Sequence, residues 1–167
     1  MKTLFIGGIK SGKSRLAEHY LLQNLACLDS KPYYLATTEF FDDELHERVR
    51  IHQQRRQDLF ITLEQPLHLL TTLQNCQRPV LVECVSMWLN NMLYHHIPET
   101  DILAELAAVL ALPGDVVFVH NEVGLGIIPD NKLARQFVDL SGKAAQLMGE
   151  HCDAVFLCSA GLKLALK

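Results

Sequence analysis

The segment Leu4-Phe5-Ile6-Gly7-Gly8-Ile9-Lys10-Ser11-Gly12-Lys13-Ser14 decides the fold of this chain. Residues 7–14 fit the pattern G-x-x-x-x-G-K-[ST], a glycine-rich turn that leads into the N-terminus of a helix. Three apolar residues before the turn are typical of a buried strand, and apolar residues recur at helical spacing from Leu16 to Leu21. The backbone N–H groups of such a turn converge on one point and bind phosphate there. The segment therefore predicts a nucleotide site.

Two side chains of this loop have expected roles. Lys13 is expected to reach the β- and γ-phosphates, and the hydroxyl of Ser14 is expected to bind Mg²⁺. The alternative is a glycine-rich turn that spells the motif by chance.

Composition limits the class of protein. A chain of 167 residues suits one domain, here residues 1–167, with one sizeable core. The hydrophobic fraction of 49% and the charged fraction of 20% are typical of a folded globular protein. A net charge of −4 argues against nucleic acid as the main partner, because Lys and Arg are not in excess.

The cysteines and the N-terminal residues indicate the cellular compartment of the protein. Cys27, Cys76, Cys84, Cys152 and Cys158 form no C-x-x-C pair and are odd in number, which favours reduced thiols. No apolar run reaches membrane-spanning length. The first strand begins at once, so we expect no signal peptide and a cytoplasmic protein.

Strand-like and helix-like segments alternate along the chain. Strands are predicted at 1–6, 33–36, 60–63, 79–83, 116–119, 154–157 and 162–166, and helices at 13–27, 42–57, 66–74, 87–94, 101–112 and 132–150. Alternation of this kind, with strands apolar on both faces, predicts a mainly parallel sheet with helices on both sides. We expect a three-layer α/β fold of the P-loop NTPase (RecA-like) class.

Ligands of parallel sheets bind beyond the carboxyl ends of the strands. This rule brings together the Gly7–Ser14 loop, Thr37-Thr38, Glu83 and His120-Asn121-Glu122, which are scattered in sequence. Glu83 closes an apolar strand where P-loop proteins hold a carboxylate near Mg²⁺. The alternative is an acidic residue at a strand end that faces solvent.

The predicted helix 42–57 carries a basic face. Arg48, His52, Arg55 and Arg56 share one side of it, and neighbouring positive charge favours a neutral, nucleophilic imidazole. Such a face suits an incoming triphosphate. From the residues alone, the interpretation that we favour is a solvated helix face in which His52 is one more polar residue.

The segment after the strand at 116–119 is predicted to be a shaped loop. Gly124, Gly126 and Pro129 favour turns, Asn131 is a candidate cap for the next helix, and Arg135 is placed to face the loop. The alternative is an ordinary strand-to-helix connection.

Together these blocks resemble the bifunctional adenosylcobinamide kinase / adenosylcobinamide-phosphate guanylyltransferase family of cobalamin biosynthesis. The matching residues are Gly7–Ser14, Arg15, Ala17-Glu18, Tyr34-Leu35-Ala36-Thr37, Asp42-Asp43-Glu44, Arg48, His52, Arg56, Thr62, Glu64, Pro66, Leu81-Val82-Glu83-Cys84, Asn90, Asn121–Pro129, Leu133-Ala134-Arg135, Ala160-Gly161-Leu162 and Leu166-Lys167. They occur in the same order along nearly the whole chain.

The resemblance implies two reactions. A nucleoside triphosphate, ATP or GTP, first phosphorylates the aminopropanol hydroxyl of adenosylcobinamide, a small-molecule corrinoid. GMP then passes from GTP to that phosphate by way of a guanylyl-histidine, which matches His52 here and reverses the interpretation from the residues alone. Nucleotide contacts carry over to the Gly7–Ser14 loop, Thr37, Thr38, Gln53, Gln54, Arg55, Arg56, Glu64 and Glu83, with Mg²⁺ at Ser14 and Glu83. The family also implies a homo-oligomer, a trimer with sites near subunit boundaries.

Alternatives remain at this point. The chain could retain only one half-reaction, as a small-metabolite kinase or a guanylyltransferase alone, or it could bind GTP as a regulatory module without chemistry. It also departs from the family pattern at Ile6, Gln57, Phe60 and His120, where Thr, Pro, Trp and a small hydroxylated residue are usual. None of these departures removes a proposed catalytic residue.

Overall fold

The computed structural model describes residues 1–24, 30–39 and 59–167. In this part of the chain the strands are β1 (Lys2–Gly7), β2 (Tyr33–Ala36), β3 (Ile61–Glu64), β4 (Val80–Glu83), β5 (Val116–Asn121), β6 (Ala154–Ser159) and β7 (Leu162–Ala165). The helices are α1 (Lys13–Asn24), α2 (Leu69–Gln74), α3 (Val85–Tyr94), α4 (Glu99–Ala111) and α5 (Lys132–His151).

The described strands form one sheet in the order β3-β2-β4-β5-β1-β6-β7. Every neighbouring pair is parallel except β6 and β7, which form an antiparallel hairpin at one edge. β1 lies between β5 and β6, and its last residue, Gly7, stands level with Asn121 and Cys158. The parallel strands therefore end at one edge, with the glycine-rich loop at the middle of it.

Helices cover both faces of the sheet, as the alternation predicted. Along β1, Leu4 and Ile6 point into the larger apolar cluster, which also contains Trp88 of α3. Phe5 points the other way, into a smaller cluster with Leu21 of α1. Period-two alternation of a strand that is buried on both faces explains this division.

Helix α2 begins at Leu69, so the predicted start at Pro66 is wrong. The amide oxygen of Gln65 accepts hydrogen bonds from the backbone N–H groups of Leu67 and His68, at 3.2 and 3.1 Å. From α3, Trp88 Nε1 donates to the carbonyl of Leu67 at 2.8 Å. These side-chain bonds hold the backbone of 66–68 in a non-helical turn.

Other boundaries shift by one to three residues. Helices α3 and α4 begin at Val85 and Glu99, each two residues before its predicted start. β3 ends at Glu64 and β5 extends to Asn121, so both reach further towards the ligand edge than predicted. The predicted helix 42–57 and the predicted end of α1 at Cys27 lie outside the described residues. Within the described ranges, no helix combines the length and the apolar character that crossing a membrane requires.

Candidate functional site at the carboxyl edge of the sheet

The Gly7–Ser14 loop forms a compact turn between β1 and α1. Ser11 N–H donates to the carbonyl of Gly8 at 3.2 Å, and Leu16 N–H donates to the carbonyl of Gly12 at 3.0 Å. Lys10 and Gly12 have positive φ angles of 58° and 92°. The turn aims the N-terminus of α1 at the space above the loop, which is the arrangement that binds phosphate in this motif.

Two glycines of the loop pack directly against the β6–β7 hairpin. A Cβ atom on Gly7 would stand 2.3 Å from the carbonyl oxygen of Cys158, and one on Gly12 would stand 2.9 Å from the Cα of Gly161. Gly161 N–H also donates to the carbonyl of Ser11 at 2.9 Å. The hairpin turn, with positive φ at Ala160 and Gly161, therefore supports the loop from below.

Sequence reasoning missed this supporting role of the hairpin. From the sequence, Ala160-Gly161 matched the family pattern without an assigned role. The available signal was a two-residue connection ending in glycine between two strands, which is typical of a tight hairpin turn.

Lys13 and Ser14 follow the turn on the first residues of α1. Lys13 is 7% exposed, and its Nζ donates to the carbonyl of Gly8 at 3.2 Å, so the ammonium group folds back over the loop. The hydroxyl of Ser14 donates to Glu83 Oε1 at 2.7 Å. The structure therefore brings Glu83 to the loop, instead of leaving it at a strand end that faces solvent.

The Ser14–Glu83 pair has the chemistry that Mg²⁺ requires. Mg²⁺ prefers hard oxygen ligands and is commonly bound through one or two protein oxygens, with phosphates and waters completing the shell. A hydroxyl and a carboxylate in contact supply such oxygens. In the described part of the chain, no cluster of three or more His, Cys, Asp or Glu side chains offers a competing metal site.

Thr37 lies at the end of β2 and is fully buried. Its hydroxyl donates to the carbonyl of Cys84 at 2.8 Å and accepts from Cys84 N–H at 3.0 Å. Its backbone N–H donates to the carbonyl of Glu83 at 2.9 Å. These bonds hold the β4–α3 junction, which carries the Glu83 side chain. Thr38, the next residue, is half-buried, while Glu64 is exposed at the end of β3.

Asn91 is a buried residue that sequence reasoning missed. Its Nδ2 donates to the carbonyl of Thr37 at 2.7 Å and to the carbonyl of Pro66 at 3.1 Å. The side chain of one α3 residue thereby joins the segments that follow β2 and β3. A polar residue on the apolar side of a helix was the only sequence signal for this role.

His120 lies inside the protein, so the expectation that it carries a polar group to the ligand edge is wrong. The ring is 1% exposed, with Nδ1 3.1 Å from the hydroxyl of Ser86 and Nε2 3.0 Å from the hydroxyl of Ser141. Ser86 Oγ also accepts from Asn121 N–H at 2.7 Å. The hydroxyl proton of Ser86 is then available to bond to Nδ1 of His120. The neutral ring in turn donates from Nε2 to the hydroxyl oxygen of Ser141. The ring thus links β5 to α3 and α5.

Burial lowers the pKa of His120 from 6.5 to about 4, against a hydrogen bond that the ring donates to the Ser141 backbone, which raises the pKa, and the charge of Lys13 adds to the lowering. The imidazole is therefore neutral at physiological pH.

The loop after β5 is fixed at both ends, and the predicted cap at Asn131 is confirmed. Glu122 N–H donates to the carbonyl of Gly7 at 3.0 Å, which ties the start of the loop to the phosphate loop. At the far end, Asn131 caps α5 through its side-chain oxygen. Arg135 donates to the carbonyls of Pro129 and Asp130 at 3.0 and 2.6 Å, so its predicted approach to the loop is confirmed.

Several candidate residues lie outside the described part of the chain. They are Arg48, His52, Gln53, Gln54, Arg55 and Arg56. Their assignment as a basic, nucleotide-contacting set remains a prediction.

A family model described as cobinamide kinase / cobinamide phosphate guanyltransferase matches residues 3–166. The chain belongs to this family. The resemblance drawn from the sequence is therefore confirmed.

Two curated members of the family match along the full chain. The bifunctional adenosylcobalamin biosynthesis protein CobP of Pseudomonas aeruginosa is 37% identical over 173 residues, covering 100% of this chain and 98% of that protein. The bifunctional adenosylcobalamin biosynthesis protein CobU of Escherichia coli is 33% identical over 186 residues, with 100% of both covered.

A solved structure supports the fold alone. The flagellar accessory protein FlaH of Methanocaldococcus jannaschii superposes with a TM-score of 0.50 at 13% identity, covering 99% of this chain and 77% of that one. Together with the observed sheet order, this confirms the predicted three-layer, RecA-like α/β class.

The packing of the phosphate loop on the hairpin generates the first prediction. Gly12→Ala introduces a Cβ at a φ of 92° and against the Gly161 backbone, so we expect a loss of roughly 2 kcal/mol or more in unfolding free energy. Gly8→Ala is the matched control, because nothing lies within 4 Å of a Cβ there. Urea denaturation of the nucleotide-free protein measures both. Equal stability of the two variants would contradict the account of the loop.

The buried imidazole generates the second prediction. His120 titrates near 6.5 when unfolded and at about 4 when folded, so its stabilising contribution is complete above pH 6.5 and is lost as pH falls towards 4. Between pH 7 and pH 5 the wild type should lose about 2 kcal/mol from this group. His120→Asn should lose that much less over the same interval. Identical pH profiles of unfolding free energy for the two proteins would show that His120 is not buried in its neutral form.

Proposed function

We propose that this chain, as one domain spanning residues 1–167, catalyses both reactions of its family. It phosphorylates the aminopropanol hydroxyl of adenosylcobinamide with a nucleoside triphosphate, and then transfers GMP from GTP to the new phosphate. The products of the second step are adenosylcobinamide-GDP and pyrophosphate. The observation that carries the proposal is the contact of Ser14 with Glu83 at the phosphate loop, in a chain that matches the family from residue 3 to residue 166.

The phosphate loop binds the triphosphate in both reactions. Its backbone N–H groups and the N-terminus of α1 favour phosphate oxygens by hydrogen bonding and by the helix dipole. Lys13 exchanges its 3.2 Å bond to the Gly8 carbonyl for the β- and γ-phosphates and stabilises the charge that develops on the transferred group. The contact of the Lys13 ammonium group with the phosphates raises kcat when it is stronger in the transition state than in the ground state.

Ser14 and Glu83 are the residues that hold Mg²⁺ in this proposal. The ion supplies charge neutralisation at the triphosphate oxygens when it is bound. The chain's part is to keep the two oxygens together, which the bonds of Thr37 to the β4–α3 junction achieve. Thr37 therefore acts as a positioning residue. The proposed nucleotide contacts at the ends of β2 and β3 are Thr38 and Glu64.

His52 is the nucleophile of the second reaction. A ring nitrogen attacks the α-phosphorus of GTP, the bond to the β-phosphate oxygen breaks, and pyrophosphate leaves. An oxygen of adenosylcobinamide phosphate then attacks the phosphorus of the guanylyl-histidine and releases the imidazole. Gln53, Gln54, Arg55 and Arg56 are the proposed contacts of the incoming nucleotide. The family match and the pattern of basic residues around His52 support this assignment.

The oligomeric state and the location of the enzyme are part of the same proposal. We propose a homo-oligomer, a trimer by family resemblance, that works in the cytoplasm. The four cysteines in the described part of the chain are free thiols, in keeping with a reducing compartment.

The two reactions can be separated by two substitutions. With adenosylcobinamide, Mg²⁺ and either ATP or GTP, we expect the phosphorylated corrinoid to form and, with GTP, to be converted to the GDP derivative. Lys13→Ala should lower kcat/KM of both steps by about 100-fold or more, because a transition-state charge contact is lost. His52→Ala should abolish only the second step. Chromatography of the coloured corrinoids measures each product.

Matched controls come from the same residue types. Lys31→Ala removes an exposed lysine away from the loop, and His46→Ala removes a histidine six positions before His52. Both should leave the two rates unchanged. Loss of both steps in His52→Ala would make that residue structural. If the wild type catalysed only one of the two steps, the proposal would be reduced to a single half-reaction. If it bound GTP but catalysed neither step, a regulatory module would be favoured.

A further inference from the structure

An exposed apolar loop stands beside the phosphate loop. Leu125, Ile127 and Ile128 are 88%, 97% and 80% exposed, although each is a large hydrophobic side chain. We call residues 123–129 the apolar loop. Single exposed apolar residues are common, but several together next to a binding site mark a surface that receives a ligand or a partner.

Hydrogen bonds within the chain fix the shape of the apolar loop. Gly124 N–H donates to Glu122 Oε1 at 2.6 Å, and Arg135 holds the carbonyls of Pro129 and Asp130. A groove of about 200 Å³ runs along its base, with Arg135 and Asp139 among its lining residues. The surface is therefore apolar, with hydrogen-bonding groups at its edge.

The position of the apolar loop restricts what can occupy it. Its first neighbour, Glu122, donates to the Gly7 carbonyl at 3.0 Å, and Ile127 follows only five residues later. Even a fully extended chain would place Ile127 within about 20 Å of the phosphate loop. A phosphoryl acceptor must bring its hydroxyl to the γ-phosphate, so the rest of that acceptor must rest on surface within this range.

We infer that the apolar loop is the docking surface for the corrin macrocycle of the acceptor. This inference rests on the proposed function. A corrin ring presents a broad apolar face edged by amide groups, and its phosphorylated hydroxyl is joined to it by a short arm. The apolar side chains of the loop provide a surface on which the apolar face of the ring can pack. Arg135 and Asp139 at the groove provide hydrogen-bonding groups for the amides.

The test compares substitutions in the apolar loop with a substitution of an exposed apolar residue elsewhere in the described part of the chain. Ile127→Gln, Ile128→Gln and the double variant remove apolar contact while keeping side-chain size. Leu166→Gln is the control, because Leu166 is 58% exposed but follows β7 and bonds to Val155, at the start of β6. Equilibrium dialysis of cobinamide against each protein measures binding, and steady-state kinetics give KM for cobinamide and for the triphosphate separately.

We expect the double variant to raise both Kd and KM for cobinamide by at least about tenfold, with KM for the triphosphate and thermal stability unchanged. Free 1-amino-2-propanol, which lacks the macrocycle, should be phosphorylated equally poorly by the wild type and the double variant. Leu166→Gln should behave as the wild type.

Other outcomes overturn the inference in distinguishable ways. Unchanged cobinamide Kd and KM in the double variant would overturn it while leaving the proposed function intact. A smaller particle in size-exclusion chromatography of the double variant, with an unchanged Kd for cobinamide, would assign the surface to a second copy of this chain. A wild type that binds GTP but neither binds nor phosphorylates cobinamide would overturn the proposed function and the docking surface together.

Discussion

The β6–β7 hairpin supports the phosphate loop from below, and its backbone, at Cys158 and at Gly161, comes too close to Gly7 and Gly12 to admit a side chain at either position. A Cβ on Gly12 would lie 2.9 Å from the Gly161 Cα, and the Gly161 N–H holds the Ser11 carbonyl at 2.9 Å. The shape of the loop thus depends on packing of backbone on backbone. The glycines serve this packing as well as the approach of phosphate. An edge hairpin thereby sets the geometry of a site at the centre of the sheet.

A second layer of bonds places the acidic partner of the loop. Thr37 and Asn91 connect the end of β2 to the β4–α3 junction, and this junction holds Glu83 against Ser14. His120 and its two serines connect β5 to α3 and α5 behind the same edge. Each of these side chains is buried and bonded to a different segment of the chain. The carboxyl edge of the sheet is therefore fixed by a network of buried polar side chains.

Features that follow from a local motif or from a general rule of sheet topology were predicted correctly. The strand–turn–helix around Gly12, the approach of Glu83 to Ser14, the cap at Asn131 and the contact of Arg135 with its loop all follow from spacing and from the rule that parallel strands end at one edge. The features that sequence reasoning missed depend on partners far along the chain. Asn91 and Gly161 look ordinary until the residues that they contact are known, and the start of α2 was misplaced because bonds from Gln65 and from Trp88 of α3 override a helical pattern. His120 was misplaced for the same reason, since its serine partners lie 34 and 21 residues away.

On the proposed mechanism, GTP bound at the phosphate loop transfers its GMP to His52 before any corrinoid is present. The intact mass of the protein after incubation with GTP and Mg²⁺ alone tests this transfer, with the same measurement on His52→Ala and with GTP binding shown separately. We expect a mass increase of one GMP in the wild type, labile to acid and stable to alkali as a phosphoramidate is, and no increase in His52→Ala. A wild type that binds GTP yet gains no mass, or a variant that gains the same mass, would rule out transfer to His52.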